Sequence, residues 1–161
     1  MFRYINNVIK RIIHRWLFTY HYDLVLLDAS RAPIRAYKRD AGYDLFVSRS
    51  VKIPKGKIIN VSTGVAIKAN GVPAWILLTS RSSTMLRHGL VVNNGIIDCD
   101  YAGELSITVL NPTNEDVYLH PDMRIGQMII IPHTNCIFTH KDKLKIRKNE
   151  RGYKGFGSTG Q

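Results

Sequence analysis

From about residue 23 the chain alternates between short apolar segments and turn-forming residues, and this alternation restricts its fold more than any other feature. Turn signals such as Asn70-Gly71, Asn94-Gly95 and His120-Pro121 separate the segments. The segments are rich in Val, Ile, Leu and Thr and are predicted to be strands: Tyr22–Leu27, Leu45–Ile53, Lys57–Ile67, Ala74–Thr79, Leu105–Leu110, Asp116–Leu119 and Gln127–Pro132. Many short strands with regular turns indicate an all-β sandwich, barrel or jelly roll, with one helical piece around Ser83–His88.

Composition narrows the class of protein. With 45% apolar residues, a chain of 161 residues is able to bury the core of one domain. The longest purely apolar run falls far short of the roughly 20 residues that span a bilayer. Two cysteines, Cys99 and Cys136, without a CxxC spacing argue against a disulfide scaffold or a zinc site. The net charge of +11 attracts polyanions, but no DNA- or RNA-binding motif accompanies it, so no specific nucleic acid partner is expected.

The two ends of the chain differ from its centre, and we predict three regions: an extension at 1–22, a β domain at 23–140 and an arm at 141–161. The extension has the pattern of a basic amphipathic helix, with apolar Phe2, Ile5, Ile9, Ile12, Ile13 and Trp16 opposite Arg3, Lys10, Arg11 and Arg15. Packing on the domain or on a neighbouring subunit is the favoured interpretation, and the partner is unknown. Location is expected to be cytoplasmic, with a mitochondrial or membrane-surface site through 1–22 as the alternative.

The arm ends in a glycine-rich stretch, Arg151–Gly160, that has the chemistry of a phosphate site. Its glycines let successive backbone N–H groups converge on an anion, and Ser158 and Thr159 add hydroxyl donors. The guanidinium of Arg151 is suited to phosphate, and Phe156 offers a face for a base to stack on. The alternative is a solvated, disordered end of the chain.

The segment Gly95–Glu104 places two acids, Asp98 and Asp100, after a short apolar run. A carboxylate at the end of an apolar strand can act as a general base towards water, which makes Asp98 the candidate. The alternative is a polar hairpin turn in which the aspartates only cap the backbone.

Three weaker segments carry polar candidates. Around Arg81, hydroxyls and an arginine at a strand-to-helix junction suit phosphate binding, and an ordinary helix N-cap is the alternative. Asp44 is either a carboxylate on the metal side of a site or part of a surface turn. Gln127 is predicted to point an amide inward from a strand.

Together these segments resemble, in order and spacing, the five motifs of the trimeric all-β dUTPases. The matching stretches lie between Leu24 and Gly160 and read Ala-Gly-Tyr-Asp-Leu, Arg-Ser-Ser, Gly-Ile-Ile-Asp-Cys-Asp-Tyr-Ala-Gly, Arg-Ile-Gly-Gln-Met and Arg-Gly-Tyr-Lys-Gly-Phe-Gly-Ser-Thr-Gly. The resemblance implies a distorted jelly-roll barrel and a homotrimer whose sites are shared between subunits. It also implies Mg²⁺-assisted hydrolysis of dUTP to dUMP and pyrophosphate, which limits uracil in DNA and supplies dUMP for dTMP synthesis.

The resemblance implies roles around the nucleoside. Asp98 would hold the attacking water and contact the 3′-hydroxyl of the deoxyribose. Tyr101 would pack under the sugar and leave no room for a 2′-hydroxyl. Backbone groups of a hairpin at Val92–Gly95, which contains Asn94 and Gly95, would pair with the uracil edge.

The resemblance also implies roles around the phosphates. Arg81 and Ser82 would contact the phosphates, and Gln127 would join the polar network around the water. Asp44 would lie on the side of the metal-bound triphosphate. Ser83 is predicted to bind substrate with them, and it stands in the second motif where the family usually has glycine.

For the arm, the resemblance implies a lid that closes on the substrate. Arg151 would hold the γ-phosphate and Phe156 would stack on uracil. Three further residues of the arm would close on the phosphates: Gly157, Ser158 and Thr159. Lys154 stands where the family usually has glycine, so it removes one flexible position of the lid.

The sequence leaves two alternative functions to consider. The dCTP deaminases share the fold and an arginine-serine segment, but they carry a glutamate as general base where this chain has Thr108. A regulatory protein that binds partners through a nucleotide-bound lid is the second, and the basic extension at 1–22 is the feature that hints at it.

Overall fold

The computed structural model describes residues 20–28, 30–70, 74–134 and 136–143. These residues form ten strands and one short helix, so the all-β prediction is confirmed. The elements are β1 His21–Leu26, β2 Tyr43–Phe46, β3 Val51–Ile53, β4 Ile58–Asn70, β5 Ala74–Ser80, α1 Ser82–His88, β6 Val91–Val92, β7 Gly95–Ile97, β8 Glu104–Leu110, β9 Val117–Leu119 and β10 Arg124–Pro132. Most of the predicted extension at 1–22 and the glycine-rich arm lie outside the described residues.

The strands pair antiparallel in two four-stranded sheets and one two-stranded ribbon. The first sheet has the order β1-β4-β8-β6, the second β2-β10-β5-β7, and β3 pairs with β9. Side chains alternate along each strand, so one face of each sheet is buried. In β8, for example, Leu105, Ile107 and Val109 are buried while Ser106 between them is exposed. The core draws on inward-facing residues of both sheets, and Val61, Val65, Ile76, Leu78 and Ile125 are among them.

The predicted strand Leu45–Ile53 was wrong in one respect, because the structure splits it into β2 and β3. β2 pairs with β10, whereas β3 leaves the sheet and pairs with β9. Between them Ser48 bends the chain, and its hydroxyl contacts the carbonyl of Ser62 at 3.1 Å. A continuous apolar pattern does not reveal which partner each half of a segment will choose.

The single described helix, α1, runs from Ser82 to His88 between its N-cap Arg81 and its C-cap Gly89. Its boundaries are close to the predicted Ser83–His88. Gly89 has φ +66°, a left-handed conformation that favours glycine, and its N–H donates to the carbonyl of Met85 at 2.9 Å. No helix in the described part of the chain has the length and apolar character needed to cross a membrane.

Candidate functional site

Three of the predicted segments meet where β2, β5 and β10 lie side by side. Gln127 of β10 pairs with Asp44 of β2 on one side and with Thr79 of β5 on the other. The carboxylate of Asp44 accepts hydrogen bonds from two arginines. Arg81 donates from Nε to Oδ1 at 2.6 Å, and Arg124 donates from Nη1 to Oδ2 at 3.1 Å. We call Asp44, Arg81 and Arg124 the arginine cluster.

The arginine cluster carries a net positive charge held in a fixed position. The Asp44 side chain is only 14% exposed, so its attraction for the two cations is less screened than in a surface pair. Arg81 is held further by Nη1 contacts of 3.3 Å to the Ser83 hydroxyl and to the Arg124 carbonyl. Two guanidinium groups facing one carboxylate leave one positive charge uncompensated, which suits a phosphate.

Arg124 is a functional candidate that the sequence did not single out. It stands first in the segment Arg124-Ile-Gly-Gln127, and only Gln127 was predicted to act there. A charged side chain at the first residue of a strand is common, so the neighbouring sequence does not indicate a function for Arg124. The structure identifies it, because β10 lies beside β2 and places the guanidinium on Asp44.

The serines near Arg81 were open to the alternative of an ordinary helix cap, and the structure does not support that alternative. Arg81 itself occupies the N-cap position of α1, and no side chain there caps the helix. Thr84 N–H bonds to the Arg81 carbonyl at 3.0 Å instead. Ser82 is exposed beside the arginine cluster. The inward orientation predicted for the Gln127 amide was wrong, because Gln127 lies between the buried Gly126 and Met128 and so faces outward from β10. Its Nε2 donates to the carbonyl of Ser80 at 2.9 Å.

The segment Val92–Gly95 is not the hairpin that was predicted. β6 pairs with β8 in the first sheet and β7 pairs with β5 in the second, so the chain crosses between sheets at Asn93 and Asn94. Asn93 N–H donates to the Thr108 carbonyl at 2.9 Å, and Thr79 donates its hydroxyl to Asn94 Oδ1 at 2.6 Å. A cavity of about 550 Å³ opens beside this crossing, lined by Ile58, Val91, Val92, Asn93, Asn94, Thr108 and Leu110. Apolar walls with a few polar groups are typical of ligand sites.

Asp98 directly follows β7 and is exposed, as the prediction of a carboxylate at a strand end requires. The turn after it is closed by the backbone, since Tyr101 N–H donates to the Asp98 carbonyl at 3.2 Å. The side chain lies on a cavity of about 600 Å³ that Trp75, Asp100 and His133 also line. Trp75 and His133 were not predicted, because only strand pairing brings them next to Asp98.

The structure does not bring Asp98 and Arg81 together within one chain. Ile97 pairs with Ile76, so Asp98 lies level with Trp75 near the start of β5. Arg81 follows the far end of the same strand. Six residues of extended strand correspond to roughly 20 Å. Asp98 therefore lies at one end of β5 and the arginine cluster at the other, whereas Gly95 and Asn94 lie beside Leu78 and Thr79, toward the Arg81 end.

The remaining predicted site residues belong to the arm. Arg151, Phe156, Gly157, Ser158 and Thr159 lie outside the described residues, so their placement stays a prediction.

The sequence is similar to known enzymes over most of its length. The family model for dUTPase matches residues 28–160. A deoxyuridine 5′-triphosphate nucleotidohydrolase of Leifsonia xyli subsp. xyli is 37% identical over 136 residues, which cover 82% of this chain and 87% of that protein. The protein of the same name from Neisseria meningitidis serogroup A is 35% identical over 145 residues, covering 86% of this chain and 95% of the relative.

The structure is similar to solved structures as well. The dUTPase of Staphylococcus bacteriophage 80alpha, solved with dUPNHPP, superposes with a TM-score of 0.79 at 27% identity and covers 89% of this chain and 100% of its own. A mutant dUTPase of phage phi11 of S. aureus, which coordinates a structural Mg(II) ion, superposes with a TM-score of 0.71. That likeness covers 78% of this chain and 99% of the phage protein at 23% identity, and it supports the fold alone.

Proposed function

This chain belongs to the dUTPase family of dUTP diphosphatases, and from that premise we propose that its own residues hydrolyse dUTP to dUMP and pyrophosphate with Asp98 as the general base. The observation that carries the proposal is the exposed Asp98 carboxylate on its cavity, at the end of β7 where the family motif places the acid. Removal of dUTP would limit uracil in DNA, and the dUMP released would supply dTMP synthesis.

In the proposed reaction, Asp98 orients a water molecule and takes a proton from it. The water oxygen forms a bond to the α-phosphorus, and the bond from that phosphorus to the oxygen bridging the α- and β-phosphates breaks. Pyrophosphate then leaves with the electron pair of the broken bond. Protein groups contribute mostly position and charge in such a transfer. The amide of Gln127 would join the hydrogen bonds around the water and the α-phosphate.

The arginine cluster is the proposed partner of the phosphates. Arg81 and Arg124 supply fixed positive charge, which stabilises the charge that develops as pyrophosphate leaves. The hydroxyl of Ser82, exposed beside them, would contact the oxygen between the α- and β-phosphates. Ser83 helps to hold Arg81, as its hydroxyl lies 3.3 Å from Nη1.

The proposed substrate is the Mg²⁺ complex of dUTP. Within the described residues, no group of three or more His, Cys, Asp or Glu side chains is arranged to bind a metal ion. Mg²⁺ commonly binds substrate phosphates together with one or two carboxylates, and here the phosphate oxygens would be its main ligands. Both oxygens of Asp44 are already bonded to arginines. Asp44 would therefore not bind the metal ion directly, but would hold the two arginines beside the metal-bound triphosphate.

The nucleoside end of the substrate is assigned to residues between Asn94 and Tyr101. Tyr101 is 44% exposed and would pack under the deoxyribose, where it leaves no room for a 2′-hydroxyl. Backbone groups of Asn94 and Gly95 would pair with the uracil edge at the crossing between sheets. The arm would close over these residues and over the arginine cluster, with Phe156 on the base and Arg151 on the γ-phosphate. Gly157, Ser158 and Thr159 would complete the contacts to the phosphates.

A complete site requires more than one subunit. Asp98 and Arg81 lie roughly 20 Å apart along β5, too far to act on one α-phosphate from the same chain. We propose a homotrimer in which Asp98 of one subunit faces the arginine cluster of another. The outer face of the second sheet offers an apolar surface for assembly, where Leu77 lies between Ile96 and Ile129 and Ile96 is 67% exposed.

The function is tested by pyrophosphate release from dUTP, dCTP, dTTP and UTP in the presence of Mg²⁺. We expect dUTP to be turned over far faster than the other three. Formation of dUTP from dCTP would instead identify a deaminase. Equal turnover of dUTP and UTP would contradict the role of Tyr101, and absence of turnover with all four would favour the regulatory alternative.

The shared site predicts that two inactive variants restore each other. Asp98→Asn and Arg81→Ala protomers, unfolded together and reassembled as mixed trimers, should regain activity. In random mixtures, roughly a quarter of the sites would combine an intact Asp98 with an intact Arg81 from different subunits. Activity of the mixture is compared with that of each variant reassembled alone.

The matched control mixes Asp98→Asn with Tyr101→Ala. These two residues lie in the same loop and would come from the same subunit. Every site in the mixture would therefore contain one of the two substitutions. Restored activity in this control, or none in the first mixture, would contradict the shared site.

A further inference from the structure

The ladder between β4 and β8 is interrupted opposite the loop that carries Asp98 and Tyr101. Ser62 pairs with Ser106 and Ala66 pairs with Glu104. Three residues of β4 therefore stand against Leu105 alone, which is an extended β-bulge. At its centre Gly64 adopts φ +65°, in the left-handed region that favours glycine. The bulge turns the Gly64 N–H away from the ladder, so it needs another acceptor.

That acceptor is the side chain of Glu104, the first residue of β8. Glu104 Oε1 accepts a hydrogen bond from the Gly64 N–H at 2.7 Å and a second one from the Ser62 hydroxyl. The Ser62 hydroxyl is also 2.7 Å from the hydroxyl of Ser48. A partly buried carboxylate with two such donors is held firmly, because charge-assisted hydrogen bonds are among the stronger ones.

Glu104 is also joined to the substrate-facing side of the same loop. The hydroxyl of Tyr101 donates to the Glu104 carbonyl at 3.2 Å. Gly103 lies directly under the ring, where a Cβ would overlap the Tyr101 hydroxyl, so only glycine permits this approach. The orientation of the ring therefore depends on where the backbone of Glu104 is fixed.

We propose that Glu104 is a positioning residue that sets the enzyme's preference for deoxyribose over ribose. Its carboxylate anchors the end of the loop on the β4 bulge, and its carbonyl holds the Tyr101 ring in place. The inference rests on the proposed function, in which Tyr101 packs under the sugar. Glu104 itself contacts neither sugar nor phosphate, but it determines how closely the Tyr101 ring approaches the sugar.

The test compares two variants that damage the same bulge. Glu104→Ala removes the anchor. Thr63→Val removes two neighbouring bonds of the bulge, from the Thr63 hydroxyl to the Leu105 carbonyl at 2.5 Å and from the Val65 N–H to the Thr63 hydroxyl at 3.3 Å, and neither involves the Tyr101 loop. Melting temperature and kcat/KM are measured for both variants, with dUTP and with UTP.

We expect both variants to melt at a lower temperature than the wild type, but only Glu104→Ala to lose selectivity. The ratio of kcat/KM for dUTP over UTP should fall roughly 10- to 100-fold, as expected when a substrate-facing group shifts by a fraction of an ångström to one ångström. Thr63→Val should keep the wild-type ratio. Glu104→Gln retains an oxygen acceptor for the Gly64 N–H and should restore most of the selectivity.

Equal ratios in Glu104→Ala and Thr63→Val would overturn the proposal. If Glu104→Ala does not fold, Ser62→Ala removes one of the two bonds to the carboxylate and should lower the ratio to a smaller extent, and an unchanged ratio there would overturn it. Tyr101→Ala, measured in parallel, tests the proposed function separately. If that variant loses selectivity while Glu104→Ala keeps it, the role of Tyr101 stands and that of Glu104 does not.

Discussion

Replacement of Asp98 by asparagine is expected to lower kcat for dUTP by roughly 10²- to 10⁴-fold, the usual contribution of a positioned acid–base group. Asparagine keeps the size of the side chain but cannot accept the proton of the attacking water. Asp98 is exposed on its cavity and its carbonyl, rather than its carboxylate, closes the following turn. The change should therefore leave the fold unaffected and affinity for a non-hydrolysable dUTP analogue within a few-fold of wild type.

The matched control for this prediction is Asp100→Asn. Asp100 lines the same cavity and is also exposed, so its replacement removes the same charge from nearly the same place. If the loss came only from the local electrostatic field, both variants would show it. We expect a large loss of kcat only in Asp98→Asn. Turnover at the wild-type rate in that variant would remove Asp98 from the role of general base.

Deletion of residues 150–161 is expected to abolish most dUTP turnover while the rest of the protein stays folded. Stacking of a base on an aromatic side chain is worth about 1–3 kcal/mol, or roughly 5- to 150-fold in an equilibrium constant. Loss of the Arg151 contact to phosphate would add to the loss of Phe156. We expect kcat/KM to fall by at least about 100-fold. The melting temperature should stay unchanged, and light scattering should give the same number of subunits as in the full-length protein.

Single substitutions in the arm separate its contributions. Phe156→Trp keeps an aromatic face and should retain most activity, whereas Phe156→Ala should lose the stacking contribution. Tyr153→Ala is the matched control, because it removes an aromatic side chain from the same segment without a proposed contact to the base. A truncated protein that no longer folds would show that the arm is structural, and one that retains full turnover would show that the arm has no role in catalysis.

Much of the fold could be predicted because its signals are local. Alternating apolar residues gave the positions of most strands, and the boundaries of α1 differed by a single residue from those predicted. β6 and β7 were not predicted, since segments of two and three residues are too short to show a period. The hairpin assigned to Val92–Gly95 was wrong for a related reason: Asn94-Gly95 is a turn signal, but the strands on its two sides pair with different sheets.

For the candidate site, the sequence alone supplied candidates where the residues belong to contiguous motifs. Asp98, Arg81 and Gln127 were predicted as site residues from the residue types around them and from the order of the segments, and their roles stay predictions. Neither Arg124 nor Glu104 was predicted, because the interaction that makes each of them notable is with a residue distant in sequence. Arg124 binds Asp44 across 80 positions, and Glu104 binds Gly64 across 40.

The amino-acid sequence by itself determined the class of fold and the family, since strand-forming patterns and motifs are properties of short stretches of chain. Only the tertiary structure decided which groups meet. Strand pairing joins segments that no local pattern connects, and it placed Asp44 on two arginines and Glu104 on the β4 bulge. It also placed Asp98 and Arg81 at opposite ends of β5. Their separation is set by the length of an extended strand, and for that reason the proposed site needs a second subunit.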